Sequence, residues 1–393
     1  MIKNLILFTF FATFVGLSAC EKDENTNTTP LSTTVVNLPA SLADIKTPAD
    51  NPLTVAKINL GRLLFWDPIL SGNKDLACVT CHHPNFGYAE NLDISIGSNG
   101  IGLGNLRHFQ IPNTIAFVKR NAHSVLNTAF NGMDDKGVYD PSNAPMFWDG
   151  RKNSLELQSL EPIKSLEEMR GRNFTDSTAL DSVVARLKNI AEYRKLFALA
   201  FGSELTVNAD NIGKAIASFE RSLVANNSPF DRYKNGETSA MTATQIAGMQ
   251  SFKNIGCDNC HSGPMFSDYK LHVLSVPDNA KLTTSDNGAN GLYAFRTPSL
   301  RNLKFTAPYM HSGRFATLDL VLNFYDNIAD GRSQNSNVKT AQIDPKIRDL
   351  NVRNFQQNTA QIVAFLQALS DDNYDKMIPA SVPSQLSVGG NIK

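Results

Sequence analysis

Cysteine is scarce in this chain of 393 residues, with five in all. Four stand in two copies of one pattern, Cys78-Val79-Thr80-Cys81-His82 and Cys257-Asp258-Asn259-Cys260-His261, and the fifth is Cys20. None is left for a disulfide framework, which excludes the small disulfide-stapled folds. An excess of charge of either sign is also missing, because 37 Lys and Arg offset 37 Asp and Glu. Nothing in that balance points to nucleic acid as a partner. Short-period repeats of the solenoid kind are absent, and the recurrence that remains is the five-residue pattern itself, about 180 residues apart. The apolar stretch from Leu5 to Leu17 is too short and too weakly flanked to be a membrane span.

What is present is chemistry built around C-x-x-C-H. Two thiols add to the vinyl groups of a porphyrin and the adjacent imidazole is delivered to the iron, so the pattern is the attachment site of a c-type haem. Half of a zinc site, or a redox dithiol, is the alternative for each copy. Zinc needs four converging ligands, and neither alternative accounts for a histidine directly after the second cysteine both times. Two copies therefore predict two covalently bound haems c, on Cys78 and Cys81 and on Cys257 and Cys260, with His82 and His261 as iron ligands. His83 follows His82, but the fixed geometry of the motif favours His82.

Residues 1–19 read as an export signal, with Lys3 as the basic start and Leu17-Ser18-Ala19 as the approach to a cleavage site. Leu17-Ser18-Ala19-Cys20 looks like a lipobox, which would put a diacylglyceryl group on Cys20; ordinary cleavage beside an incidental cysteine is the alternative. Residues 20–50, rich in Thr, Asn, Pro and Asp, are expected to be a flexible tether. The expected setting is the periplasm, with the membrane touched only through the lipid. Removing the leader deletes Lys3 alone and moves the formal charge from zero to about −1.

The remaining chain is long enough for two domains of ordinary size. Apolar residues at helical spacing predict helices from Asn208 to Val224, Thr242 to Asn254 (ended by Gly256), Thr317 through Tyr325, and Phe355 to Leu369. The Gly- and Asn-rich stretch Ser98 to Asn105 reads as a loop. The fold class expected is mainly α: two helical domains, each wrapped on one haem.

Several further stretches go beyond haem attachment. Leu60 to Ser71, Arg120 to Asn131, Phe147-Trp148-Asp149-Gly150-Arg151, Phe219 to Leu223, Ser228 to Tyr233, Thr297 to Asn302 and Ala307 to Phe315 stand in order around the two haem motifs. Together they resemble the bacterial di-haem cytochrome c peroxidase and MauG family, from about Pro52 to about Leu369. The resemblance implies two cytochrome c-like helical domains, at 51–224 and 225–352, with the C-terminal helix (353–372) packing back on the first. It implies reduction of hydrogen peroxide at the N-terminal haem, with electrons entering through the C-terminal one from a small cytochrome c or cupredoxin. A second copy of the chain is a further candidate partner.

The resemblance also assigns residues. Glu168, Gln158 and Pro162 match the family's distal Glu, Gln and Pro at its spacing; read alone, Glu168 belongs to an acidic pair of the kind that usually lies on a solvated face. Trp148 matches the tryptophan placed between the haems, where a buried indole is otherwise ordinary core. Asn121, with the backbone carbonyls of Thr306 and Pro308, falls where the family coordinates one Ca²⁺.

Two departures matter. The sixth ligand of the second haem in the peroxidases is a methionine fourteen residues after the histidine matched by His311; here that position is Tyr325, as in MauG, with Met310 as rival. A distal histidine that caps the first haem in many peroxidases is replaced by Asn113, and His108 and His123 are solvated or structural, so the first haem is expected open and five-coordinate. Tyr325 keeps a second reading in view, a MauG-like oxidase acting on a protein side chain or small molecule. A di-haem electron carrier is weaker, because it leaves Gln158 and Glu168 unexplained.

Overall fold

Helical spacing of apolar residues becomes real helix in the computed structural model, which describes residues 44–351 and 355–393. The leader, Cys20 and most of the expected tether lie outside the described residues. In chain order the helices are α1 (Val55–Trp66), α2 (Leu155–Gln158), α3 (Glu161–Lys164), α4 (Ala179–Lys188), α5 (Ala191–Phe201), α6 (Ala209–Ser222), α7 (Pro229–Lys234), α8 (Ala243–Ile255), α9 (Leu318–Ala329) and α10 (Phe355–Ala368). Sheet is confined to two short antiparallel pairs, β1 (Gly100–Ile101) with β2 (His108–Phe109), and β3 (Leu271–Val273) with β4 (Ala294–Arg296). The mainly α class stands, and the loop expected at Ser98 to Asn105 contains β1.

Helix ends follow capping chemistry. Thr242 accepts from the Gln245 N–H while the Gln245 side chain returns to the Thr242 N–H, so both orphan donors are satisfied. The other end of α8 stops at Gly256, whose φ of +95° suits a residue without Cβ and turns the chain into the second haem motif. Thr317 caps α9 through the Leu320 N–H and Asn208 caps α6 through the Asn211 N–H.

Two principal cores form, one around each haem motif. In the first, Leu60, Leu64 and Phe65 of α1 meet Ile212, Ile216 and Phe219 of α6, with Val183, Leu187, Tyr193 and Phe197 behind them. In the second, Phe252 of α8 packs with Ile362, Phe365 and Leu366 of α10 and with Leu318 and Leu322 of α9. Each core is built on a tight helix crossing set by a glycine. A Cβ on Gly61 would lie 2.0 Å from the Ala215 carbonyl oxygen, and one on Gly248 1.9 Å from that of Gln361.

Two expectations are corrected here. α10 ends at Ala368 and packs on α8 and α9, in the second core, because its apolar face matches theirs. The segment that returns to the first core is the one after it: Tyr374, Val382, Leu386, Val388 and Ile392 join α1 and α6. The tether also ends earlier than Asp50, since Ile45 is buried against Phe130 and Tyr139 and the Lys46 N–H donates to Tyr139 Oη at 2.9 Å.

Candidate haem sites and the path between them

Both C-x-x-C-H motifs start as a single tight turn, at Cys78–Thr80 and Cys257–Asn259, which brings the cysteines and the histidine to one side of the chain. His82 Nδ1–H donates to the His123 carbonyl at 2.9 Å, with that of Tyr88 at 3.3 Å, and His261 Nδ1–H donates to the Phe266 carbonyl at 3.0 Å. The tautomer is thereby fixed and each Nε2 is left for a ligand, which is how a metal-bound imidazole is oriented. Burial holds both rings in the neutral form that binds metal, pushing His261 down to about 4. His83 is a capping residue instead, its Nδ1 accepting from the Asn85 N–H at 3.2 Å.

The zinc and dithiol alternatives fare poorly in this setting. Burial pushes the Cys78 and Cys257 thiols up to about 12, which disfavours the free thiolate that a redox dithiol needs. Among the described residues the cluster with metal-ligand spacing is Cys260, Asp268 and His272, within 4.8 Å of one another. His272 is already engaged there, its ring nitrogens hydrogen-bonded to Asp268 at 3.0 Å and to Asp344 at 2.6 Å, and hydrogen bonds first to Asp268 and then to Cys260 and Asp344 raise it to about 10.

A cavity of about 920 Å³ runs between the motifs and is lined by both. Gln158, Pro162 and Glu168 converge on it, and with Cys81 and His82 they also line a smaller cavity beside it. Gln158 closes α2, Pro162 lies in the first turn of α3, and Glu168 sits on a π-helical turn, Leu166–Arg170. Such turns are uncommon and recur at functional sites. Burial raises the Glu168 carboxyl above its ordinary value, with Arg151 and the Ser165 hydroxyl opposing.

Trp148 is buried, and its indole Nε1–H donates to the Asn121 carbonyl at 2.9 Å. One face stacks on the His123 imidazole at 4.0 Å between centroids, and His311 lies edge-on at 6.2 Å, itself stacked on Phe295 at 3.5 Å. His108 is exposed and outside the cavity, and Asn113 is engaged with Ile115 and Asn99. Tyr325 and Met310 both line the cavity that His261 lines. The Asn121 amide donates to the Leu92 and Asp93 carbonyls at 2.9 and 3.1 Å, and Thr306 and Pro308 share its cavity wall.

Sequence reasoning missed three residues here. Glu220 lines both cavities, is 4% exposed, and burial pushes its carboxyl up to about 8. Glu90 is buried close to Cys81 and raised to about 7 for the same reason. Arg296 is 5% exposed and lines the large cavity; it donates to the Phe147 carbonyl but has no carboxylate partner among the described residues. An unpaired guanidinium buried in a cavity wall suits a ligand that brings its own anionic groups. Haem carries two propionates, so this orphaned charge and the two oriented imidazoles fit the group the motifs call for.

Residues 55–239 match the family model described as di-haem cytochrome c peroxidase. The methylamine utilization protein MauG of Methylorubrum extorquens is 35% identical over 71% of this chain and 70% of its own. The chain belongs to the di-haem cytochrome c peroxidase family. A cytochrome-c peroxidase of a Pseudomonas species is 32% identical over 84% of this chain and 85% of that one. The fold of this family member is also that of a MauG-like protein associated with microbial copper homeostasis, at TM-score 0.67 and 27% identity, covering 85% of this chain and 95% of the other. Two haems c are thus a family property as well as a reading of the motifs.

Proposed function

We propose that this di-haem peroxidase reduces hydrogen peroxide to water, taking two electrons from a small periplasmic donor, a cytochrome c or a cupredoxin. The convergence of Glu168, Gln158 and Pro162 on the cavity that His82 and Cys81 line carries this reading. When bound, the haems supply an iron centre for the peroxide and a store for the electrons. The chain supplies the rest. Glu168 takes a proton from one peroxide oxygen and delivers it to the departing one, and its raised pKa brings it toward working pH, where proton transfer is most effective. Gln158 offers an amide N–H to the same oxygen, and Pro162 closes the wall against water.

Trp148 is the station for electrons between the two sites. Tyr325 is proposed as the residue that, with His261, would hold the second haem, with Met310 as rival. Asn121, Thr306 and Pro308 are proposed to hold one Ca²⁺; the Asn121 amide is already committed to two carbonyls, which leaves its Oδ1 as the cation-facing atom. No helix among the described residues is long and apolar enough to cross a membrane. Lipid on Cys20 is the proposed attachment to the membrane, and the division at 224 and 225 is proposed as the boundary between haem domains.

Glu168→Gln tests the central claim: peroxide turnover should fall by about 10²- to 10⁴-fold with both haem spectra and the number of attached haems unchanged. A loss of less than about threefold would return Glu168 to a structural role. Tyr325 favours the MauG-like oxidase as second reading. One equivalent of peroxide followed by reduced cytochrome c separates the two, since a peroxidase oxidises the cytochrome at once.

A further inference from the structure

His123 touches both ends of a connection that the reading of Trp148 requires. Its imidazole covers one face of the indole, 4.0 Å between centroids and 26° from parallel. Its main-chain carbonyl accepts the Nδ1–H of His82 at 2.9 Å. Its Nε2 lies 3.5 Å from Arg296 Nη2, and the Arg296 Nε–H donates to the Phe147 carbonyl at 2.9 Å while the Arg296 N–H donates to that of Trp148 at 2.6 Å. One arginine therefore braces the imidazole and the backbone of the indole together.

The stack itself supplies the physical basis. An aromatic face held this close keeps the indole ring in place and offers it polarisable electron density as it becomes electron-poor.

We propose that His123 is a positioning residue of the electron relay: its ring fixes and stabilises Trp148 as the indole gives up an electron, and its carbonyl joins that stack to the proximal imidazole His82. The inference rests on the relay reading of Trp148. In the step, Trp148 loses one electron toward the first haem after that haem has met peroxide, and regains one from the second haem. No covalent bond changes. The Nε1 proton stays on the indole, because its acceptor, the Asn121 carbonyl, has no basicity to remove it.

The test uses the di-haem protein with its second haem reduced, mixed with one equivalent of peroxide, in wild type and in His123→Ala, His123→Phe and Trp148→Phe. The timed oxidation of the second haem is followed optically, the tryptophanyl radical by freeze-quench electron paramagnetic resonance, and both haem midpoint potentials by redox titration. All variants keep the carbonyl to His82, so potentials and spectra should not move. His123→Ala should slow the electron about tenfold and reduce the radical signal, and His123→Phe, which keeps a stacked ring, should stay within about threefold of wild type. Wild-type speed in His123→Ala with a slow Trp148→Phe would overturn the proposal and leave the relay standing. Wild-type speed in Trp148→Phe would remove the relay reading itself. Equal slowing by Ala and Phe would refute the stacking role, and should His123→Ala fail to retain two haems, His123→Leu, which fills the space without a stacked ring, takes its place and is read against His123→Phe in the same way.

Discussion

A carboxyl pressed out of water beside a haem cavity keeps its proton to higher pH, and Glu90, Glu168 and Glu220 are all in that position. For Glu220, whose ordinary value is 4.5 and whose burial raises it to about 8, the folded chain holds a proton that the unfolded chain has released between those values. Stability from this group is therefore complete below about pH 4.5 and lost as pH rises through about 8. Glu220→Gln cannot ionise, so urea unfolding should show a flatter pH dependence in that window, by on the order of a few kcal/mol at its alkaline end. A second residue-scale outcome concerns Tyr325, whose phenol burial raises above its ordinary value. Ferric protein should lack the near-infrared band of His/Met haem, and Met310→Leu should leave the spectrum unchanged. A full-strength band that Met310→Leu abolishes would make Met310 the ligand. The two haem motifs were legible at this scale because spacing alone marks them. Glu220, Arg296 and the stacked His123 were not, because their meaning comes from burial and from partners far away in the chain.

Element by element, the stretches that carry the family resemblance turn out to be joints. Ser228 caps α7, Asp231 takes the Ser228 N–H and hydroxyl, and Arg301, from the Thr297 to Asn302 stretch, pairs with both Asp231 oxygens at 3.0 and 2.9 Å. Arg301 Nε–H also donates to the Pro264 carbonyl, just past the second haem motif, at 2.7 Å. Asp231→Ala would strand a buried guanidinium and should cost about 3 to 5 kcal/mol in urea unfolding. A loss below about 1 kcal/mol would mean that water replaces the carboxylate. Arg221 of α6 makes the corresponding joint in the first core, on Glu156 at 2.6 and 3.0 Å. The helices that begin near Asn208, Thr242 and Thr317 could be read from the chain, because apolar spacing is a local signal. The partner of α10 could not, because an apolar stripe specifies that a face is covered and not by what.

Across the whole molecule, two cores sit on a shared cavity, and the chain's last segment seals the first of them. Tyr374 Oη–H donates to the Pro84 carbonyl at 2.7 Å, the Ser384 hydroxyl donates to Asp67 at 2.6 Å, and Arg62 pairs with Asp375 at 2.6 Å. The Gly389 N–H reaches the Trp66 carbonyl at 2.8 Å, and Gly390 bridges to Leu76, two residues before the first haem motif. A stop after Asn373 should leave the second haem in place while the first site becomes unstable, read as a lower melting temperature and as one attached haem by mass in place of two. Two haems at wild-type melting temperature would show the segment to be dispensable.

That seal has a consequence for assembly. The residues that finish the first core are the last in the chain, so a core begun by α1 stays incomplete until Tyr374 to Ile392 have docked on it.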